Sequence, residues 1–491
     1  MFIHRFFMRT ALRRGRLAGA GLAALGLAGC AQFPSLDALA VLKPASEYQT
    51  NTSFAAPQIA WPEDGWWQAY GDRQLDGLVE EALRDSPDMA AAAARLRRAE
   101  AAGQVVGAPL LPQVGANAST TQQRQSYNYL TPESMTPQGW KDYGRATLDF
   151  SWELDFWGKN RAGLAAATSE VEARRAEVAQ ARLVLAANIA NSYAELARLF
   201  AARDTAARSV EVRARTAALF TERFTNGLET RGSVRDVEAR RATAEGELLA
   251  IDEQIGLQRN RLAALLGAGP DRGLSITRPV VRLDARPGLP GNLPAALIGR
   301  RPDVVAARLQ AEAQQRRIDQ KKAEFYPNVN LSAFIGLQSL GLDLLAKSAS
   351  TVGSIGPAIS LPIFTGGRLR GELRGSVATY EEAVANYNRT VTLALQEVAD
   401  AGLSQRALGG RLAKAEEAAN AAAEAHRVAR NRYEGGLSSY LEVLSAEDVL
   451  LNSLRSLSDL QSRAFALDVA LIRALGGGYR EALHQNPESN T

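Results

Sequence analysis

The sequence predicts a mainly α-helical protein that also contributes four amphipathic β-strands. Three observations support this fold class. The sequence matches itself at a period of about 210 residues, far longer than the roughly 20–50 residues of a solenoid unit. Residues 138–269 and 363–486 contain no proline and are rich in the helix formers Ala, Arg, Glu and Leu. Four shorter segments alternate apolar and polar residues with a period of two, as half-buried strands do.

The internal repeat indicates one structural unit that is used twice in the chain. We expect residues 66–270 and 290–478 to be these two repeats, followed by a C-terminal tail at 479–491. The matched pairs, in chain order, are Pro87-Asp88 with Pro302-Asp303, Pro112 with Pro327, the run from Leu154 to Gly158 with the run from Leu361 to Thr365, Arg223-Phe224 with Arg432-Tyr433, and Leu266-Gly267 with Leu475-Gly476.

The N-terminal residues have the features of a secretory signal. Residues 1–29 contain five arginines and no acid, and their apolar run is too short to span a bilayer as a helix. The run ends in Leu-Ala-Gly directly before Cys30, the single cysteine of the chain. Lipoprotein signals place their acylated cysteine at this position, so Cys30 is the predicted lipidation site. The alternative is an incidental cysteine in an ordinary signal peptide. Residues 30–65 read as an extended, lipid-anchored tether.

Charge argues against a nucleic-acid partner. The formal net charge of the whole chain is +4, and removal of the five signal-peptide arginines leaves the mature chain at −1. Binding to a phosphate backbone needs clustered, uncompensated cations. The mature sequence shows no such cluster.

The alternating segments form two predicted β-hairpins, at residues 113–156 and 328–364. In the first, Leu148 and Phe150 alternate with polar neighbours, and in the second Leu331 and Ile335 do the same. Each strand therefore has one apolar face and one mostly polar face, as a half-buried strand or a membrane-barrel strand requires.

Two very long helical hairpins are predicted at residues 158–267 and 366–476. A single helix from Asn160 to about Thr225 would be roughly 100 Å long at about 1.5 Å per residue. The hairpins turn at Gly227-Leu228 and Gly436-Leu437, where glycine can adopt the left-handed conformation that ends a helix. Trp66 and Trp67 open the folded part of the chain and are interpreted as packing residues.

Four strands are too few to close a membrane barrel, because the smallest bacterial barrels have eight and an open edge in lipid leaves backbone groups unpaired. Closure would require further copies of the chain. Two copies would give eight strands around a filled interior, whereas three would give twelve strands around a lumen.

From Trp66-Trp67 to Gly476 the chain resembles the TolC-like outer-membrane efflux channels, lipoprotein subgroup. The resemblance rests on the double repeat, both strand hairpins and both helix turns. It implies a homotrimer with a twelve-stranded barrel in outer-membrane lipid and a twelve-helix tube in the periplasm. It also implies a periplasmic adaptor (membrane fusion) protein and an inner-membrane pump of the resistance-nodulation-division class as partners, with no cofactor and no catalysis.

In similar proteins the periplasmic tips, here residues 223–239 and 432–448, close the tube and receive the adaptor. The expected adaptor contacts are therefore Gly227, Leu228, Gly436 and Leu437. The second tip of the family often reads Tyr-Leu, a few variable residues, then Leu-Asp-Ala-Gln. This chain departs from that pattern because serine replaces the aspartate, which puts a carboxylate ring at that position in doubt. The gate candidates are Leu441, which matches the constricting leucine, Ser445, and the neighbouring acids Asp236, Glu447 and Asp448.

Two alternatives stay open at the level of the sequence. The acids near the tip could be an ordinary solvated helix surface, since exposed helical charges need no function. The whole chain could instead be a periplasmic coiled-coil spacer or adaptor lipoprotein that never spans the outer membrane. A lipid-anchored hydrolase is disfavoured, because no HExxH motif and no credible nucleophile and base occur, and no metal site is expected.

Overall fold

The computed structural model describes residues 38–128, 131–281 and 288–481, and most of them are helical, as predicted. Its helices are α1 (Arg73–Asp85), α2 (Pro87–Gly107), α3 (Lys159–Thr225), α4 (Arg231–Leu265), α5 (Pro270–Leu274), α6 (Leu293–Arg300), α7 (Pro302–Ala323), α8 (Arg368–Glu434) and α9 (Tyr440–Ala474). Its strands are β1 (Gln58–Ile59), β2 (Gln113–Gln123), β3 (Lys141–Leu154), β4 (Leu289–Pro290), β5 (Asn328–Leu340) and β6 (Thr351–Ser360).

The two long helices have the same length. α3 and α8 each contain 67 residues, so each is roughly 100 Å long. α3 begins where the Asp155 carboxylate accepts hydrogen bonds from the backbone N–H groups of Asn160 and Arg161, at 3.2 and 2.8 Å. Such a carboxylate satisfies N–H groups that the first turn of a helix leaves unpaired. Across the described parts of the chain, no helix combines the length and the apolar character that crossing a bilayer demands.

Four strands form one antiparallel sheet in the order β2-β3-β5-β6. The two predicted hairpins are present, and β3 pairs with β5, which joins the first repeat to the second. Leu148 lies opposite Ile335 and Trp152 lies opposite Leu331. The apolar residues of neighbouring strands therefore share one face of the sheet. Among the described strands, β2 and β6 are the two edges of this sheet, and β1 pairs with β4 in a separate two-stranded ladder.

The described chain forms two compact units, and each contains segments from both repeats. One unit contains residues 97–172 and 308–386, which include the four-stranded sheet. The other draws mainly on residues 173–307 and 387–491. The two sequence repeats are therefore not two separate folding units, because β3 of the first repeat pairs with β5 of the second.

The second unit has a core built around Tyr193. Trp66 and Trp67 belong to this core, with 6% and 4% of their surfaces exposed, and their rings meet edge to face at 5.7 Å. The prediction that they are packing residues is confirmed. The Tyr193 hydroxyl donates to the Asp72 carboxylate at 2.7 Å, and Asp72 also caps α1 by accepting from the Gln74 N–H at 2.9 Å. Burial of the Tyr193 hydroxyl raises its pKa.

A buried arginine organises the corresponding region of the second repeat. The Arg301 guanidinium is paired with Asp303 at 2.6 Å and with Glu397 at 2.6 Å, and it donates to the Ala474 carbonyl at 3.1 Å. Both carboxylates hold its pKa above the usual range in spite of burial, which acts in the opposite direction. The contact ties the start of α7 to α8 and to the end of α9.

Candidate functional site at the helix turns

The two long hairpins turn with the same backbone geometry. Gly227 and Gly436 have positive φ angles of 75° and 72°. The Leu228 N–H donates to the Arg223 carbonyl at 2.8 Å, and the Leu437 N–H donates to the Arg432 carbonyl at 2.7 Å. This pattern is the Schellman motif, which satisfies the last carbonyls of a helix. The predicted left-handed glycine caps are therefore present at both turns.

Both turns expose their leucines. Leu228 is 63% exposed and Leu437 is 74% exposed. A Cβ added to Gly227 or Gly436 would meet nothing within 4 Å, so the outer surface of each turn is open. The turns thus present two similar apolar knobs, and their predicted role as adaptor contacts stays a prediction.

A small aromatic cluster lies directly behind the turns. The Phe220 ring is 1% exposed, stacks on Tyr433 at 5.6 Å and meets Tyr440 edge to face at 5.0 Å. The Tyr433 hydroxyl donates to Glu229 at 2.6 Å, and the Arg223 guanidinium lies 4.6 Å from the centre of the Tyr433 ring. Burial, together with Glu229, raises the pKa of Tyr433. The cluster connects the end of α3 with the end of α8 and the start of α9.

A charged cluster lies one to two helical turns further from the tips. Arg213 of α3 approaches the Glu447 carboxylate at 3.5 Å and the Asp448 carboxylate at 3.2 Å. Arg240 of α4 pairs with Asp448 at 3.3 Å and with Asp236 at 3.1 Å. Three helices, α3, α4 and α9, are therefore linked by one ionic network.

Glu447 is the buried member of this network. Its side chain is 2% exposed and accepts a hydrogen bond from the Thr216 hydroxyl at 3.1 Å. Burial raises the pKa of Glu447, and the neighbouring charge of Asp448 adds to this effect, whereas the Thr216 hydrogen bond and the charges of Arg213 and Arg240 oppose it. In this conformation the Glu447 carboxylate lies between helices rather than on the surface of the chain.

The other gate candidates occupy different surroundings. Leu441 is 63% exposed, and it lines a shallow groove together with Ser445, which is also exposed. The opposite wall of this groove consists of Ala425 and Ala429 of α8. Leu441 and Ser445 thus share a face of α9 that Glu447 does not share. Their role in gating stays a prediction.

The structure adds residues that the sequence did not point to. They include Arg213, Arg240 and Phe220, which belong to no local motif. Each of them contacts a residue that is distant in sequence, although Arg240 also pairs with Asp236 of its own helix. Cys30, the predicted lipidation site, lies outside the described residues. Within the described ranges, no group of three or more His, Cys, Asp or Glu side chains is placed to bind a metal ion.

Comparison with known proteins agrees with this architecture. The family model described as "Outer membrane efflux protein" matches residues 78–268 and 293–477, which together correspond to the two repeats. The solved structure of the outer membrane protein VceC from Vibrio cholerae is 50% identical, covers 86% of this chain and all of its own, and superposes with a TM-score of 0.82.

Curated relatives are similar over most of their length. The multidrug resistance outer membrane protein MdtP of Escherichia coli K12 is 32% identical over 86% of this chain and 87% of its own. The fusaric acid resistance protein FusA of Burkholderia cepacia is 36% identical over 74% of this chain and 70% of its own. The double repeat, the four-stranded sheet and the matched helix turns thus have a common explanation: the chain belongs to the outer membrane efflux protein family.

Proposed function

We propose that three copies of this outer-membrane efflux channel form the exit duct of a tripartite pump. The observation that carries the proposal is the four-stranded sheet, whose edges β2 and β6 have no partner among the described strands. Unpaired edges are not tolerated in lipid, so the sheet must be completed by other copies. Three copies give twelve strands, enough to surround a lumen.

The long helices give this duct its reach. Each protomer supplies α3 and α8, roughly 100 Å each, and the exposed leucines of both turns lie at the far end of the hairpins. The proposed partners are a periplasmic adaptor, received at these turns, and an inner-membrane pump of the resistance-nodulation-division class. A tube of this kind selects little, so choice of cargo rests with the pump and the adaptor.

The test uses the full-length lipidated protein extracted from outer membranes. We expect a heat-modifiable trimer that resists carbonate washing and produces ion conductance in planar bilayers. A chain that is released by mild carbonate or salt washing, and that never conducts, would instead be a periplasmic spacer. That result would overturn the proposal.

Leu441→Ala tests the proposed constriction at the second turn. We expect a higher resting conductance in planar bilayers, because the substitution removes an exposed side chain that we place in the narrowest part of the tube. The matched control is Leu403→Ala, since Leu403 is a similarly exposed leucine of α8 away from the turns. Equal conductance of the Leu441 variant and the wild type would remove Leu441 from the list of constricting residues.

Cys30→Ser tests the proposed lipid anchor. One acyl chain holds a protein to a membrane only marginally, whereas a completed barrel is held by its whole apolar band. We therefore expect weaker membrane targeting but unchanged trimerisation, measured by fractionation and by heat-modified electrophoresis. A soluble monomeric variant would contradict the barrel, because the anchor alone would then be holding the chain in the membrane.

A further inference from the structure

The subunit interface can be placed residue by residue, because the contact between the two repeats provides a template for it. Within one chain, β3 and α3 from the first repeat lie beside β5 and α7 from the second. Here the Glu170 carboxylate pairs with Arg317 at 2.7 Å, and Gly163 lies against the side chain of Gln320. At the other end of the sheet, β6 pairs with β5 and has no second neighbour among the described strands, while α8 contacts α7 through Glu372 and Lys321. The next copy would supply that second neighbour with its own β2 and α2.

The contact between the two repeats predicts residue pairs between neighbouring copies once each residue is replaced by its counterpart in the other repeat. A residue of β5 or α7 corresponds to the residue 215 positions earlier in β2 or α2, as Pro327 corresponds to Pro112. A residue of β3 corresponds to the one 207 positions later in β6, as Leu154 corresponds to Leu361. For the long helices the shift is 209, because α3 spans 159–225 and α8 spans 368–434.

The offset between the repeats is 209 residues for the long helices but 207 residues for β3 and β6, and this difference of two residues has a local explanation. Gly366 and Gly367 precede α8, and both have positive φ angles, of 59° and 87°. The corresponding joint of the first repeat has the single glycine Gly158, with φ of 76°. The second joint is therefore longer, and the strand and the helix must be aligned separately.

The sheet gives the first predicted pair. Trp152 lies opposite Leu331 between β3 and β5. Their counterparts are Ile359 in β6 and Ala116 in β2. Both counterparts lie on the apolar face of the sheet, so joining β6 to the β2 of the next copy in this register keeps the apolar faces continuous. A shift of one residue would reverse the faces.

The helices give the second predicted pair. The counterparts of Glu170 and Arg317 are Thr379 and Ala102, which carry no charge. About one helical turn further from the sheet, however, three residues along α8 and four residues back along α2, the same antiparallel arrangement brings Glu382 close to Arg98. Both side chains are exposed, and neither has an oppositely charged partner within 4.0 Å in the described chain. Within the described residues, a pairing of these two complementary charges is therefore open only between copies of the chain.

We propose that Glu382 of one protomer pairs with Arg98 of the next, and that β6 joins the neighbouring β2 with Ile359 opposite Ala116. This inference rests on the proposed trimer and specifies its interface. The counterparts of Glu382 and Arg98 within the protomer are Ala173 and Ala313, which are 1% and 0% exposed. The contact between the repeats within one chain and the proposed contact between copies are consequently not interchangeable, since an arginine in place of a buried alanine would be an unpaired buried charge. Glu382 and Arg98 therefore favour pairing of each sheet edge with the edge of another copy.

Cysteine cross-linking tests the strand register. Cys30 is the only natural cysteine, and the proposed acylation blocks its thiol, so paired substitutions in the lipidated protein can be read without background from other thiols. Residues directly opposite each other in an antiparallel pair have Cα atoms about 4.5–5.5 Å apart, within the range that a disulfide spans. We expect Ala116→Cys combined with Ile359→Cys to give covalent dimers and trimers on oxidation. Ala118→Cys with Ile359→Cys is the matched control, two residues out of register on the same face, and should cross-link poorly.

Charge exchange tests the helix pair. Glu382→Arg and Arg98→Glu should each reduce the heat-resistant trimer, because like charges then face each other three times per ring, and the double exchange should restore it. Glu381→Arg is the control, since Glu381 is also exposed but points about 100° away around the helix. Trimers that conduct, but that neither cross-link in the predicted register nor respond to exchange, would overturn this inference alone. Failure of the wild type to form any trimer would instead overturn the proposed function.

Discussion

Replacing Gly476 with alanine is expected to destabilise the assembled protein strongly. Gly476 caps α9 with a positive φ of 89°, and a Cβ at this position would lie 1.9 Å from the Arg300 carbonyl oxygen. The overlap is with backbone, so no side chain can rotate away. Left-handed strain of roughly 1–2 kcal/mol and overpacking of roughly 1–3 kcal/mol add to an expected cost of about 2–5 kcal/mol. The measurement is the temperature at which the trimer dissociates in detergent.

Gly436→Ala is the matched control for this prediction. Gly436 closes the same type of helix cap with a φ of 72°, but a Cβ there would meet nothing within 4 Å. Only the conformational strain remains, so the expected cost is about 1–2 kcal/mol. Equal shifts in the two variants would mean that the close approach of Arg300 does not limit the packing at the end of α9.

The helix ends show how far sequence reasoning extends. The positions of Gly227, Gly436, Gly267 and Gly476 as helix caps could be predicted, because the signal is local: a glycine directly after a long helical run. The Arg300 carbonyl against Gly476 could not be predicted in this way. That contact depends on packing between segments more than 170 residues apart, and no local pattern encodes it.

Glu447 shows the same limit within the candidate site. The sequence placed it near the tip as a possible gate charge, but the structure buries it against Arg213 of a distant helix. A partial signal was present, because Leu444, Glu447 and Leu451 follow the three-four spacing of a buried seam, and all three are buried. Which helix packs on that seam, and whether it brings a cation, depends on tertiary structure. The sequence could therefore predict the region of the site but not its ionic network.

Removing the arginine of this network is expected to loosen the turns. In Arg213→Met, Glu447 loses its nearest cation and α3 loses its ionic contacts with Glu447 and Asp448 of α9, while the volume of the side chain is largely kept. Breaking a buried ion pair costs roughly 3–5 kcal/mol, and about 1.4 kcal/mol is a tenfold change in an equilibrium. Allowing for the partial exposure of Arg213, we expect at least a tenfold shift from the packed turn toward looser states. The measurement is resting conductance in planar bilayers at neutral pH.

Arg215→Met is the control for this substitution. Arg215 lies two residues away on the same helix, but its side chain is 66% exposed and its acidic partner Glu211 belongs to the same helix. Exposed pairs of this kind contribute little to stability, so conductance should stay at the wild-type level. If both arginine variants raised conductance equally, a general loss of charge would explain the effect better than the loss of the Arg213 network.

The same network predicts a dependence on pH. The groups facing Glu447 are Arg213 and Thr216 of α3, Arg240 of α4 and Asp448 of α9. Because burial raises the pKa of Glu447 above 4.5, the packed turn binds this proton more tightly than a state in which the carboxylate is hydrated. The packed turn therefore gains stability as pH falls from above the raised pKa toward 4.5, and loses it as pH rises. Resting conductance should accordingly decrease on mild acidification.

Glu447→Gln tests which group is responsible for that response. The amide is neutral at every pH, and its oxygen can still accept the hydrogen bond from the Thr216 hydroxyl, so the turn should stay packed. The variant should also show conductance that no longer changes across the window above pH 4.5. If the conductance of the Glu447→Gln channel followed pH as the wild type does, the pH response would have survived the loss of the buried carboxyl group. That outcome would show that another group titrates.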